Sequence, residues 1–535
     1  MLRFILLFTS VLFIQPLGAQ ISISGKVLDP LSRESLAYVN IGIKGKNLGT
    51  TSLSDGTFSI SIPSSFQNDT LTFSLIGYAD FKLPIEASGK KVIPLFRQAS
   101  VLPEISISTS KLVEAKFGLT KHAAIHFIDA SINQNDIFEI AQLIKLPATN
   151  TKLNSVDLYI NEDNADSVKF RINIYKFDGN RPAERLNTQP IFKTALLKEG
   201  WLHCIISEYN LYGKNEVVVA FEFLPSQKRK KAIALEVKLG GRSKSFVRKT
   251  SLGEWMVPPH HYLMNLTALT PETNRNSDKD EKEISATKVL ISTYVKDTFS
   301  LFVHLPSNYQ KNKTKTYPLV LLLDANAYFT GVSDFWDPEN KEHLSEAILI
   351  GIGYANVALM DSLRQRDYTF PRDLVADSCL LCGGADKFRD FIQKELLPYA
   401  HQSFRTNKKE VSIMGHSLGG YFPIWSLLTD LKEENTLIKN YVCISPSLNY
   451  ADNYILNYTN TLNPSKITSL QKRCYLSFGE FDDDLTTHIG VFTDFEKKLA
   501  LLRVRSRFEI YPGLQHMETP LIGFERGLNF ILSDN

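Results

Sequence analysis

Cysteine is scarce in this sequence: five in 535 residues, at Cys204, Cys379, Cys382, Cys443 and Cys474, too few and too scattered for a disulfide scaffold. Stability must therefore come from packed cores. Zinc chemistry finds no footing either, because Cys379-Leu380-Leu381-Cys382 stands without a second C-x-x-C and without a histidine at finger spacing. In an exported protein, a local disulfide that stiffens a loop suits that pair better than two free thiols. Charge of one sign is also lacking, since the formal net charge is only +3 and the basic residues are dispersed apart from a short run at Lys228 to Lys231. Nucleic acid is not an expected partner. An uncleaved membrane anchor is not expected either: the apolar run Phe4 to Phe13 falls short of the roughly 20 residues a membrane helix needs.

That run has another reading. Arg3 precedes it and Leu17-Gly18-Ala19 precedes Gln20, the layout of a secretory signal peptide cleaved after Ala19. No cysteine follows the cleavage site to carry a lipid. The mature chain is expected to be periplasmic, cell-surface or secreted. With 43% apolar and 22% charged residues, usage is that of ordinary globular protein, and the length suits roughly three domains.

The first domain, residues 20–108, alternates short β-rich runs with turn residues: ISISGKVLD, AYVNIGIKG, TSLSDGTFSISIP, DTLTFSLIGYADFKLPI and KKVIPLF. Strands at this spacing imply a small β-sandwich, with Asp55-Gly56 as a hairpin signal. The runs SGKVLD, AYVNIGIKG, LSDGTFSISIP and LTFSLIGY resemble the carboxypeptidase-regulatory-like domain at the N-termini of many exported Bacteroidota-type proteins. That resemblance implies a spacer or interaction module. Leu102 to Ser110 reads as a linker.

Residues 109–270 again read as strands, through KFRINIYKFDG, GWLHCIISEYNLYG, EVVVAFEFLP, KAIALEVKLGG and LGEWMVPP, and predict a second, larger β-sandwich. The order, with FRINIY, GW and W-x-x-P, resembles a jelly-roll-like domain of similar chains, which carries an expectation of fold alone. Trp201, Tyr209, Tyr212 and Trp255 could form a sugar-stacking face, although tryptophans at strand ends more often plug cores. Contact with glycan or an envelope protein through these sandwiches is one expectation. Residues 271–284 contain PETNRNSDKDEK, polar and without periodicity, and read as a linker.

Residues 285–535 change character. YPLVLLLD and AILIGIGY are near-continuous apolar runs of the sort buried on both faces, and Lys387 to Tyr399 places Phe388, Phe391, Ile392 and Leu396 on one helical face. Strands alternating with helices predict a mostly parallel sheet covered on both sides, an α/β domain. Within it, VSIMGHSLGG ends a buried strand on Gly415-His416-Ser417-Leu418-Gly419, the G-x-S-x-G pattern of a nucleophile elbow. A nucleophilic serine must project from a sharp turn, so its flanking positions favour residues without a Cβ. The N–H of Leu418 would supply half of an oxyanion hole. Tyr421 to Leu431 should form the following helix, with Pro423 in its first turn.

After later strands come Gly479-Glu480-Phe481-Asp482 and Gly513-Leu514-Gln515-His516. A serine hydroxyl needs a base, and the base needs a carboxylate to fix its tautomer; Ser417, acid, His516 is also the chain order of an α/β-hydrolase. Among the crowded carboxylates Glu480, Asp482, Asp483 and Asp484, the G-x-x-D offset from Gly479 selects Asp482 first and Glu480 second. The second oxyanion donor is expected from the main chain at Ala325 or Asn326, after YPLVLLLD, with Asp324 bonding to loop amides.

At this point YPLVLLLDANAYF, GIGY, RQRDYTFP, GGADKFRDFIQKELLPY, GHSLGG, ISPSLNY, FGEFDDD and YPGLQHMETP together resemble the Putative esterase family of α/β-hydrolases, which includes esterase D-like enzymes and siderophore trilactone esterases. The resemblance implies a serine esterase with Ser417 and His516 catalytic. It also implies a cleft lined by Arg364, Asp367, Tyr368 and the loop Ser445 to Tyr450, including Ser447 and Tyr450. Departures are Asn449-Tyr450 where relatives often carry tryptophan, Ala325 for a common glycine, and Phe370 before the usual proline. No metal or organic cofactor is implied. The expected substrate is an acylated carbohydrate, a siderophore-type lactone or a small acyl ester. The competing reading is a non-catalytic envelope binding or scaffold protein with a relic hydrolase domain, whose mark would be a broken triad.

Overall fold

The computed structural model describes residues 20–533 apart from 86–88, 99–111, 121–125, 131–134, 162–166, 226–232, 240–242, 259, 272–285, 337–343, 374–380, 468–469, 483–491 and 493. The signal peptide read over 1–19, the linker at 102–110, all but the first residue of the linker at 271–284, and Cys379, Asp483 and Asp484 lie outside the described residues. Among the described residues, no helix is long and apolar enough to cross a membrane.

In the N-terminal domain the alternation of TFSISIP is visible as structure: Phe58, Ile60 and Ile62 of strand Thr57–Pro63 point inward while their neighbours face solvent. That strand and Gly89–Pro94 flank Gln20–Leu28 in a three-stranded sheet. Facing it is a four-stranded sheet of Gly49–Thr51, Asn40–Ile43, Thr70–Ser74 and Phe81–Pro84. Ile23, Val27, Ile41, Leu71, Phe73 and Ile93 fill the core between them, giving a sandwich-like domain. The expected turn at Asp55-Gly56 exists, with Gly56 at φ 80° and Thr57 N–H on Asp55 Oδ1 at 2.9 Å. It is not the expected hairpin, however. The strands it joins, Gly49–Thr51 and Thr57–Pro63, pair in different sheets, so the turn carries the chain from one layer to the other.

Residues 112–271 form two further sheets, of six and eight strands, whose neighbouring strands pair antiparallel. They share a core that includes Ile140, Val156, Leu158, Phe170, Phe221, Leu235 and Leu266. The outer face of the six-stranded sheet is charged yet covered. Arg171 forks onto Glu222 (Nε to Oε2 2.7 Å, Nη2 to Oε1 2.6 Å), and Asn40 of the N-terminal domain bonds to both partners. Trp201 and Trp255 set their rings edge-on against Tyr159 and Tyr175.

The C-terminal domain is built on an eight-stranded sheet. Its order is Lys288–Ile291, Thr298–His304, Ile348–Gly353, Tyr317–Leu322, Thr406–His416, Asn440–Ile444, Arg473–Gly479 and Arg505–Tyr511. The first two pairings are antiparallel and the remaining five parallel. Because successive side chains point to opposite faces, the run YPLVLLL feeds two cores at once. Leu319, Leu321 and Leu323 join Phe388, Phe391, Phe422 and Trp425 on one face, while Val320 and Leu322 join Met414, Phe524 and Leu528 on the other. The helix expected over Lys387 to Tyr399 runs from Ala385 to Ser403 through one π turn, with Phe388, Phe391, Ile392 and Leu396 fully buried.

The helix after the elbow begins earlier than expected, at Leu418, and ends at Lys432. Pro423 is therefore its sixth residue, beyond the first turn. A proline there withholds the N–H that the Gly419 carbonyl would accept. That carbonyl lies so close to Gly415 that a Cβ on Gly415 would run into it. Cys204, Cys443 and Cys474 are buried free thiols, and Cys382 is disulfide-bonded.

Candidate active site

Strand Thr406–His416 is buried from Val411 onward and delivers Ser417 to the sheet's C-terminal end. Ser417 sits at φ 61°, ψ −123°, a backbone conformation that residues with a Cβ rarely adopt. The surroundings hold it there. Its N–H donates to the Ile444 carbonyl at 3.0 Å, and its own carbonyl accepts from Gly420 and Tyr421, both at 2.9 Å, and from Ser447 at 3.3 Å. The side chain is half-buried, with Oγ 3.4 Å from Ser447 Oγ. Helix Leu418–Lys432 starts at the next residue, so the positive end of its dipole lies at the serine, together with the N–H groups of Leu418 and Gly419, which no carbonyl of the helix itself can accept.

The neighbouring strand Tyr317–Leu322 leads to Asp324, left-handed at φ 52°, which opens helix Ala325–Ser333. The main-chain N–H groups of Ala325 and Asn326 belong to that helix's first turn, where no carbonyl of the helix itself can accept them. The Asn326 side chain is committed elsewhere: Nδ2 donates to the Tyr354 carbonyl at 3.0 Å and Oδ1 accepts from the Tyr354 N–H at 2.7 Å. Asp324 does not bond to loop amides as expected. Its carboxylate accepts a fork from Arg364 and caps no N–H of the helix it opens. A Cβ on Gly419 would come within 2.8 Å of Asp324 Oδ2, so the glycine lets that ion pair close against the elbow helix.

Three residues expected to line the cleft thus turn inward. Arg364 holds Asp324 and the His416 carbonyl. Burial alone would lower its pKa, but the Asp324 charge and hydrogen bonds raise it on balance. Asp367 is fully buried between Arg366 and the Tyr354 hydroxyl, and burial pushes its carboxyl up against the pull of Arg366. Tyr368 is fully buried, and its hydroxyl accepts from the Asp324 N–H at 3.2 Å. The helical sequence Val357–Tyr368 alone could not reveal which of its polar residues face the cleft and which face the core. Ser447, by contrast, stands beside Ser417. Tyr450 is half-buried, takes the Asp373 N–H at 3.3 Å and donates to the Pro371 carbonyl at 2.9 Å.

Strands Arg473–Gly479 and Arg505–Tyr511 run in parallel register, Gly479 beside Tyr511, so their outgoing loops leave together. Phe481 N–H to Leu514 O at 2.9 Å stitches them. His516 Nδ1 lies 3.0 Å from Asp482 Oδ2, with Asp482 1% exposed and His516 31%. A carboxylate only accepts, so Nδ1 carries the proton, and in the neutral imidazole Nε2 presents a lone pair. Glu480, the second choice, points away: it is exposed and Oε2 accepts the Gly513 N–H at 2.8 Å.

One residue with no assigned part in the sequence reading is central. His416, the variable position of G-x-S-x-G, is buried, with Nδ1 2.9 Å from the Tyr328 hydroxyl and Nε2 3.0 Å from the His516 carbonyl. Its sequence position gave no signal, because any residue satisfies the motif there.

Residues 292–487 match the family described as Putative esterase, and residues 23–104 match the CarboxypepD_reg-like domain. The C-terminal domain is that of a carboxylic ester hydrolase. The esterase domain is similar to the ferri-bacillibactin esterase BesA of Bacillus subtilis, 28% identical over 255 residues that cover 44% of this chain and 85% of that protein. It is also similar to the apo-salmochelin esterase of Escherichia coli O6:H1, 25% identical over 233 residues, 41% of this chain and 70% of that one. Among solved structures, the BES protein from Bacillus cereus is 22% identical and covers 48% of this chain and all of that one, with a TM-score of 0.40.

Proposed function

We propose that this protein is an exported serine esterase that cleaves carboxylic esters through an acyl-enzyme on Ser417. The observation that carries the reading is the His516 Nδ1 to Asp482 Oδ2 bond at 3.0 Å, at the same end of the sheet as the strained Ser417 turn. In this reading His516 Nε2 takes the Ser417 proton as Oγ attacks the ester carbonyl. The proton then passes to the leaving alkoxide, and a water repeats the sequence to release the acid. The N–H of Leu418 and that of Ala325 or Asn326 hold the developing oxyanion, while Asp482 fixes the imidazole tautomer.

The substrate favoured is a small-molecule ester of siderophore-lactone type, supported by the names of the two relatives matched over most of their length. Export rests on the leader-like residues Met1 to Gln20. The two-sheet domain at 112–271 is read as a jelly-roll-like sandwich, and binding of glycan or envelope protein by the accessory domains stays a proposal beside the catalytic one. The test is a fluorophosphonate probe followed by peptide mapping, together with hydrolysis of short p-nitrophenyl esters and of catecholate trilactones. An adduct on Ser417, with hydrolysis abolished in Ser417→Ala, is expected. Full hydrolysis by Ser417→Ala would remove Ser417 from the mechanism.

A further inference from the structure

Leu239 closes strand Ile233–Leu239 of the middle domain, yet it is buried in the wrong core. At 4% exposure it joins the apolar cluster of the esterase domain that contains Tyr328, Phe329, Val332, Phe524 and Leu528. Every other buried member of that cluster lies between Phe302 and Ile531. The same strand approaches helix Ala325–Ser333 to within 8 Å, Cα to Cα. Its antiparallel neighbour His126–Ala130 approaches the turn His516–Glu518 equally closely. Tyr262, paired with Val237 on the other side of the strand, is 1% exposed; its phenol is held up first by burial and then by the charge of Glu518, on that same turn.

One edge of the eight-stranded sheet therefore meets two elements of the esterase domain, and they are not arbitrary ones. The first opens with the main-chain N–H groups of Ala325 and Asn326, and the second carries His516. Inside the esterase domain one buried side chain, His416, joins the two. A carbonyl only accepts, so His416 Nε2 donates to His516 O and His416 Nδ1 is left to accept from Tyr328, a residue of the Ala325 helix. Burial keeps Tyr328 a protonated phenol, able to donate. His416 directly precedes Ser417.

We propose that the middle domain braces the ester-hydrolysing site, its sheet edge holding the Ala325 helix and the His516 turn in register while the Tyr328–His416 pair joins them behind Ser417. Leu239, Tyr328 and His416 are positioning residues in this scheme and touch no substrate. The proposal rests on the reading of Ser417 and His516 as the reacting pair. It goes beyond that reading by making the accessory domain part of the catalytic geometry rather than a spacer. A displacement of the base or the oxyanion donors by about 1 Å can cost up to ~100-fold in rate, so a brace has something to protect.

The test uses the full-length mature chain with Leu239→Ala, the conservative Leu239→Met, and Tyr328→Phe, which keeps the ring and removes the hydroxyl. For Leu239→Ala and Tyr328→Phe, kcat on a short p-nitrophenyl ester and the rate of fluorophosphonate labelling should fall about 10-fold or more, with KM within about twofold. Leu239→Met should restore both. A merely structural Leu239 would lower the unfolding midpoint and leave kcat at wild-type level, and that result would overturn the brace. Hydrogen exchange supplies a readout independent of turnover: amides of 516–519 and 325–333 should exchange faster in Leu239→Ala than in wild type. Unchanged exchange at both would also overturn it. If wild type itself neither labels nor hydrolyses, the catalytic reading fails while the exchange comparison still decides whether the sheet edge braces these two elements.

Discussion

Arg364 grips Asp324 through two bonds, Nε to Oδ1 at 3.2 Å and Nη2 to Oδ2 at 2.8 Å, and the same Nη2 reaches the His416 carbonyl at 3.2 Å. One guanidinium thus ties the start of the Ala325 helix to the residue before Ser417. The planar fork matters, because three acceptors on two separate chain segments are met by one rigid group.

Removing that guanidinium should be costly. Arg364→Ala leaves the Asp324 carboxylate, 1% exposed, as an unpaired buried charge, and breaking such a pair costs about 3–5 kcal/mol. Arg364→Lys keeps the charge without the fork and should recover only part of the loss. Urea unfolding of the three proteins measures this, and ester hydrolysis should fall in the same order.

The carboxylate assignment has its own test. Asp482→Asn should lower kcat by roughly 10⁴-fold, as a wrong imidazole tautomer does in a Ser-His-Asp site. Glu480→Gln touches an exposed side chain and should change kcat/KM by no more than about twofold. Steady-state kinetics on one ester with both variants separates the two; the reverse order of effects would transfer the role to Glu480.

Between the first two domains, Glu222 is held by Arg171, Asn173 and Asn40 at 2.6–2.8 Å, with the ion pair's side chains 1% and 0% exposed. Burial would raise the Glu222 carboxyl, but the Arg171 charge and hydrogen bonds hold it below the ordinary range. Glu222→Ala strands the Arg171 charge and should destabilise the chain by about 3–5 kcal/mol. Because Asn40 belongs to the N-terminal domain, hydrogen exchange at 40–43 should quicken along with that at 216–223.

Asp136 predicts a pH dependence of the opposite sign to an ordinary carboxylate. Burial pushes it up from 3.8 to about 6, against hydrogen bonds from Ser251, Ile137 and Thr51. A folded pKa above the unfolded one means that its contribution is full below pH 3.8 and is lost as pH rises through about 6. Two pKa units correspond to about 3 kcal/mol. Asp136→Asn should therefore gain stability relative to wild type by about that amount between pH 4 and pH 7, measured by urea unfolding at the two pH values.

What the sequence determined by itself was chemistry that local chain physics dictates. A buried strand ending on Gly-x-Ser-x-Gly can only turn sharply there, because Gly415 meets the Gly419 carbonyl and Gly419 meets Asp324. Alternation in TFSISIP and the unbroken apolar run YPLVLLL fixed which strands bury one face and which bury two. Tertiary structure alone decided what each polar side chain faces. Arg364, Asp367 and Tyr368 share one short helix and looked like cleft residues, but the helix packs so that all three hold the core side of the site. Asp55-Gly56 made its turn, yet pairing partners chosen across two sheets made it a crossing instead of a hairpin. His416 and Leu239 carried no pattern at all. The side-chain partners of His416 lie 88 and 100 residues away in the chain, and the cluster that takes in Leu239 begins only at Phe302; no local periodicity encodes contacts of that range.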